Sequence, residues 1–129
     1  MIYVAYLILR FKEELSQNAK NEYSLEFGVV QDAGRLDAIG AIGIAQYFTF
    51  GGSRNHVLHD PNINPLLCIL KEDYLKKAEQ TTINHFHEKL LKLKELMKTR
   101  AGYKRTEKWY KFMEDFLEEL YEEWAGRAY

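Results

Sequence analysis

The chain has 129 residues, two of them proline, with 47% hydrophobic and 29% charged residues and a formal net charge of −1. That length suits one domain able to bury roughly two-thirds of its unfolded surface. The near-neutral balance excludes a general basic field for nucleic acid or an anionic membrane; the single cysteine, Cys68, excludes an internal disulfide and fits a reducing, cytoplasmic location, with the nucleus left open.

In chain order, MIYVAYLIL opens the sequence as an apolar run that meets Arg10 and Lys12. It falls far short of the ~20 residues that cross a bilayer. With no basic stretch before it and no small-residue cleavage site, it does not read as a signal peptide. It reads as a helix or strand end packed on the core; a start that differs from the native one is an equal alternative. Residues 1–15 read as one helix, 16–24 as a polar loop and 25–30 (LEFGVV) as a short apolar approach segment. Asp32 is placed as the N-cap of a helix over 33–48. Leu36, Ile39, Gly40, Gly43 and Tyr47 share one face of that helix. Glycines at 34, 40 and 43 each cost it about 1 kcal/mol relative to alanine. Gly40 and Gly43 are therefore read as packing positions where another backbone comes close.

Residues 50–65 contain GGSRN and DPNINP and read as loop. Residues 66–70 are short and apolar, and 72–78 read as a turn of helix. Residues 81–99 are predicted to form one helix, striped by Phe86, Leu90, Leu93 and Met97 and ended by Ala101 and Gly102. The clearest helix covers 105–124. Trp109, Phe112, Met113, Phe116, Leu117, Leu120, Tyr121 and Trp124 form its apolar stripe. Its opposite face carries Glu114, Asp115, Glu118, Glu119, Glu122 and Glu123, read as solvated rather than as a di-metal site, because no Glu-x-x-His partner motif is present. No repeat or low-complexity tract occurs. The expected fold is all-α, in a single domain.

Four groups of residues bear on chemistry. On a helical wheel Gly34, Asp37 and Ala41 share one flank while Asp32 points elsewhere, so Asp37 alone carries a carboxylate there. A lone carboxylate of this kind reads as solvated or hydrogen-bonded. His56, His59 and Asp60 include a literal His-Asp pair, but in a loop; adventitious zinc binding is weaker than the surface-loop reading. His85, Lys89 and Lys92 follow i, i+4, i+7 and would line one cationic edge suited to phosphate oxygens, with Arg35 added if the two helices pack together. The competing reading is a solvated basic flank. His85 and His87 are two apart and make a poor metal pair. Cys68 reads as a small apolar residue. No Ser/His/Asp order, phosphate-binding glycine loop or CxxC is present.

Three blocks carry a family resemblance: QDAGRLDAIGAIGIAQYFTFGGSRN at 31–55, HFHEKLLKLKELM at 85–97 and YKFMEDFLEELYEEW at 110–124. They resemble, in order and from about residue 11 to the end, the C-terminal half of the HD-domain phosphohydrolase superfamily, nearest its bacterial-type branch related to nucleotide pyrophosphohydrolases. That family reads DADRLDAIGAIGIAR, then FxxGG, then a helix like HFxEKLLKLKDLM and one like HxFMxxFLxxFxxEW. The resemblance implies a helical fold around one divalent, manganese-like metal that activates water for attack on phosphorus. It implies ligands from a first histidine, an adjacent His-Asp pair on a later helix, and a distant aspartate, the second acid of DADRLD. Here that position is Gly34, Asp32 and Asp37 match the flanking acids, and no histidine precedes His56.

The resemblance thus implies the family's fold with a metal site that this chain does not complete. Asp32 is a possible remnant ligand, Asp37 a candidate catalytic or substrate contact, and Arg35, His85, Lys89 and Lys92 candidate phosphate contacts. One function expected is a metal-dependent nucleotide phosphohydrolase whose absent ligands come from a partner chain or a longer protein. The other is a non-catalytic module that self-associates or binds a partner through an uncovered face made by Leu36, Ile39, Gly43 and Tyr47. A fragment left by a shortened gene reading is the third expectation. Whether the chain is itself an enzyme is left open between them.

Overall fold

The computed structural model describes residues 24–65 and 81–127. The expected helix at 1–15, the loop up to 23, the apolar segment 66–70, the turn at 72–78 and Cys68 lie outside them. The described residues form four α-helices and one 3₁₀ segment, with an isolated bridge between Val57 and Thr81 in place of any strand. In chain order these are α1 (Leu25–Asp37), α2 (Gly40–Ser53), α3 (Thr82–Glu88), the 3₁₀ segment (Leu90–Leu96) and α4 (Arg100–Trp124). The fold is all-α, as expected.

The helix expected over 33–48 is in fact two. α1 begins at an earlier cap: the Ser24 hydroxyl accepts from the Phe27 N–H at 3.2 Å, and Glu26 favours the positive helix start. Asp32 therefore lies inside a helix rather than at its entrance. The chain breaks at Ala38 and Ile39, Ile39 being extended, and restarts at Gly40 with φ +70°. Only glycine adopts that backbone without strain. A side chain at 40 would also press on the Trp109 indole, 3.2 Å away, and the Gly40 N–H donates to the Met113 sulfur at 3.3 Å. Gly43 lies so close to the Ala38 backbone carbonyl that a Cβ would overlap it. Both glycines are close-approach positions as expected, and Gly40 is in addition the hinge that ends one helix and starts the next.

α2 continues through Gly51 and Gly52, residues expected in a loop. Gly51 fits because its missing side chain leaves room for Thr82 at the start of α3. The helix then ends in a Schellman arrangement: Asn55 takes a left-handed φ of 54°, Asn55 N–H donates to Gly52 C=O at 3.2 Å, and His56 N–H donates to Gly51 C=O at 2.9 Å. The following loop caps α3. The carbonyls of Val57 and Leu58 accept from the N–H groups of Thr82 and Ile83 at 2.9 and 3.1 Å, and the Thr81 hydroxyl accepts from the Asn84 N–H at 3.1 Å.

The helix expected over 81–99 breaks at Lys89 and continues as 3₁₀. Leu90, Leu93 and Leu96 recur every third residue, and a three-residue turn stacks all three on one side. Leu90 and Leu93 are buried there, and Leu96 packs against the core. Ala101 and Gly102 do not end a helix. They form the first turn of α4, whose N-cap is Thr99, its hydroxyl accepting from the Gly102 N–H at 3.0 Å. The α4 stripe is borne out at its centre, where Met113 and Leu117 are buried and Trp109, Phe116, Leu120 and Tyr121 pack beside them; Phe112 and Trp124 are exposed.

The core joins Ile39, Ile44 and Tyr47 to Ile83, Phe86, Leu90, Leu93, Met113 and Leu117. Phe86 meets Tyr47, Phe48 and Phe116 with ring centroids 5.8, 5.9 and 6.5 Å apart. The face of Ile39, Gly43 and Tyr47, expected to stand uncovered, is buried: α3 and α4 cover it. The acidic face of α4 is solvated as expected, its carboxylates exposed apart from a half-buried Glu122.

Two glycine replacements separate close packing from helix propensity. Gly43→Ala is expected to lower stability by about 1–3 kcal/mol through overlap with the Ala38 carbonyl. Gly52→Ala, with open space around it, is expected to raise stability by about 0.5–1 kcal/mol. Urea unfolding of the two variants checks both signs.

Candidate functional site

The segment 81–89 is polar in sequence yet sits in the interior. His85 is 2% exposed, Glu88 1% and Lys89 4%. Burial of a lysine and a neighbouring glutamate is costly and concentrates at functional positions or in tightly paired networks. The loop fixes their helix from one end through the caps above and through the Asn84 side-chain amide, which donates to Ile63 C=O at 2.7 Å. From the other side the His85 ring meets the Tyr47 ring edge-on, centroids 5.1 Å apart. Tyr47 thus ties the buried polar helix to α2.

The cationic edge expected from His85, Lys89 and Lys92 is altered by the change of helix type. Lys89 N–H donates to His85 C=O at 3.0 Å, closing the last α-turn, but Lys92 N–H bonds to Lys89 C=O at 2.9 Å in a tighter turn. His85 and Lys89 point into the protein while Lys92 is half-exposed on the 3₁₀ segment. The solvated-flank reading therefore fails for His85 and Lys89.

Arg35 does not join this group. Its Nη1 donates to the Leu96 carbonyl, and it lies 4.0 Å from the Asp32 carboxylate. Asp32 is itself committed. Its Oδ1 accepts from the Lys98 N–H at 2.8 Å; its Oδ2 accepts from the Thr99 N–H at 2.7 Å and the Thr99 hydroxyl at 2.6 Å. The expected remnant ligand is thus the anchor of the α4 N-terminus. Both oxygens accept from the α4 N-terminus, and Gly102 leaves room for the carboxylate. Asp37 is exposed at the end of α1, one turn after the half-buried Gly34.

The loop pair His59-Asp60 is also accounted for locally. Asp60 Oδ1 accepts from the Asn62 N–H at 2.9 Å and from its side-chain amide at 3.1 Å, closing an Asx turn. The His59 ring packs edge-on against Tyr121 and Trp124, at 5.3 and 5.2 Å. His87, set aside in sequence, stacks on Tyr121, with Nε2 2.6 Å from the phenol oxygen. The sequence signal for this cluster is faint: Tyr121 and Trp124 stand on the α4 stripe, but nothing marks two histidines from separate segments as their neighbours. Burial pushes the His87 imidazole below its ordinary value, with the His59 charge adding to this and Glu88 opposing it. Burial likewise pushes the Tyr121 phenol up.

A divalent metal of the expected kind does not fit the described residues. Gly34 has no side chain to act as a ligand, the Asp32 carboxylate is turned to the α4 N-terminus, and no group of three His, Cys, Asp or Glu among the described residues is placed to hold a metal ion. Among them, too, no helix is long and apolar enough to cross a membrane.

Asp32→Ala is expected to cost about 3–5 kcal/mol, because Arg35 and the α4 donors lose a buried partner together. Asp32→Asn is expected to cost less, since the amide oxygen still accepts. Thermal unfolding of both variants checks the order. The folded chain favours neutral His87, so the unfolded chain binds more protons as pH falls below the ordinary value of 6.5. The contribution of His87 is then full above pH 6.5 and lost below it. Unfolding midpoints measured downward from pH 7.5 are expected to fall less steeply for His87→Gln than for the wild type.

No family model matches the chain. It is 35% identical over 124 residues to the uncharacterized Bacillus subtilis protein YpgQ, covering 95% of this chain and 52% of YpgQ. A crystal structure of YpgQ in complex with ADP superposes with a TM-score of 0.63 at 30% identity, covering 94% of this chain and 50% of that one. A Lactobacillus plantarum structural-genomics target gives a TM-score of 0.76 at 40% identity, covering 84% and 53% of the two chains. An HD-superfamily hydrolase from Bacillus thuringiensis gives 0.65 at 44% identity, covering 79% and 47%. The chain spans about half the length of these relatives. Over that half the chain has the HD-domain-like fold, sharing its helical architecture with an HD-superfamily hydrolase and with YpgQ.

Proposed function

We propose that this chain binds a nucleoside phosphate in the manner of the HD-type phosphohydrolases but does not hydrolyse it unaided. The observation that carries the reading is the contrast between two sets of polar residues. The buried His85, Glu88 and Lys89, with the half-exposed Lys92 beside them, keep a polar, cationic segment where a soluble helix would be apolar. Gly34 removes the carboxylate that the family resemblance assigns to the metal, and Asp32 is too committed to replace it. The similar YpgQ has been crystallised with ADP, which supports a nucleoside diphosphate as the first ligand to try. Lysine meets phosphate oxygens as a point charge, and a half-exposed one reaches them without unfolding the core. Arg35 and Asp32 drop out of the proposed contacts because the packing of α1 on α4 uses them. Hydrolysis, in this reading, needs metal donors from a partner chain or a longer protein.

Calorimetric titration with ADP tests the proposal. Binding is expected with or without manganese, with a Kd raised about tenfold, or 1.4 kcal/mol, in Lys92→Glu. No phosphate or pyrophosphate release above blank is expected from nucleoside di- or triphosphates. Absence of ADP binding removes the ligand assignment; turnover with one equivalent of metal removes the claim of silence.

A further inference from the structure

α4 is electrically two-sided along its length. Its outermost stripe, away from the buried Met113 and Leu117, reads Lys104, Lys108, Lys111 and then Asp115, Glu118, Glu122. The residues are exposed, Glu122 half so. On this stripe the cations lie on the N-terminal half and the anions on the C-terminal half, with Glu107 beside the stripe on the N-terminal half. The arrangement works against the helix itself. The peptide dipoles favour anions at the start and cations at the end, yet α4 has no acidic residue in its first turn and no basic residue in its last. The one ion pair on the stripe among the described residues, Lys111 to Asp115 at 2.6 Å, runs in the less favourable order, cation before anion. Helix stability therefore does not account for the pattern.

The spacing is symmetric. Lys104 and Glu122, Lys108 and Glu118, and Lys111 and Asp115 are each equidistant from the level of Met113. Two such helices laid antiparallel about that level would set Lys104 opposite Glu122 of the partner subunit, Lys108 opposite Glu118 of the partner subunit, and Lys111 opposite Asp115 of the partner subunit. The two-fold repeats every pair. Phe112, 48% exposed, stands one residue from the symmetry point but roughly 80° round the helix from the stripe, on the flank of the charged seam. Self-complementarity about a point is what a two-fold dimer requires.

We propose that α4 is a self-association surface whose occupant is a second copy of this chain, paired antiparallel through its basic and acidic halves. This surface is distinct from the Ile39, Gly43 and Tyr47 face, which is covered within the chain, and it is independent of nucleotide binding. One helix on one helix is a small contact, so the dimer is reversible and governed by salt.

Sedimentation velocity of the full chain at low and high ionic strength reads the association directly. The screening length shrinks from about 10 Å at 0.1 M to about 3 Å at 1 M, and the dimer dissociation constant is expected to rise about tenfold or more. Two charge-reversed chains supply the decisive arm. K104E/K108E/K111E makes the stripe wholly acidic, and D115K/E118K/E122K makes it wholly basic. Each alone is expected to be monomeric with unchanged helical circular dichroism, and an equimolar mixture to form heterodimers. A wild-type chain that stays monomeric at low salt overturns the proposal. So does a mixture of folded variants that fails to associate. Association that needs added heparin overturns it too, assigning the basic half to a polyanion instead.

Discussion

One carboxylate holds the ends of the described fold together. Asp32, in the middle of α1, receives the backbone donors of Lys98 and Thr99 and the Thr99 hydroxyl. The start of a long helix leaves N–H groups without partners and carries partial positive charge, so an anion placed there satisfies both needs. Everything around it is shaped to let it in. Gly102 has no side chain to block it, Thr99 caps α4 and bonds the carboxylate with the same hydroxyl, and Arg35 one turn on takes the Leu96 carbonyl as the 3₁₀ segment ends. The direction of α4, and hence the placement of Met113 and Leu117 in the core, follows from that junction.

This use of Asp32 changes the meaning of the DAGRLD stretch. Its residues share a sequence motif but not a task. Asp32 and Arg35 face the α4 junction, Asp37 faces solvent, and Gly34 sits half-buried between them. A motif whose outer acid is structural can lose its inner acid without losing the fold, because the helix-to-helix anchor remains. The polar residues that the interior does keep, His85, Glu88 and Lys89, belong to a different element, fixed by the loop before it and by Tyr47.

The sequence was most legible where one periodicity ran without interruption. The α4 stripe gave its centre correctly because Trp109 through Tyr121 repeat at helical spacing over several turns, and the all-α class followed from the same pattern. Legibility failed where tertiary contacts overrode local pattern. Ile39 and Gly40 continue the apolar face of the preceding helix in sequence, so the break at Ala38 and Ile39 shows only through the extended Ile39, the positive φ of Gly40 and its Trp109 contact. Leu90, Leu93 and Leu96 follow a three-residue turn while Phe86, Leu90, Leu93 and Met97 follow an α-helical face, so Leu90 and Leu93 fit both. Ala101 and Gly102 resembled a helix end because glycine commonly sits there, whereas this glycine is required by a carboxylate 70 positions away in the chain. At the site, the pairing of His85 with Lys89 was readable from spacing; their burial was not, since it depends on what α2 and the loop lay over them.

The contact between the Gly40 amide and the Met113 sulfur spans 73 positions. Contacts of that separation carry a loop-closure cost before they return any stabilisation. During synthesis, α1 and α2 leave the ribosome well before the residues that fix the bend between them exist. The hinge can form its left-handed backbone early, but its amide meets its acceptor only after most of α4 has emerged. Until then the apolar side of α2 has no cover from that helix. The packing that closes over this bend is therefore completed only once the C-terminal helix has been made.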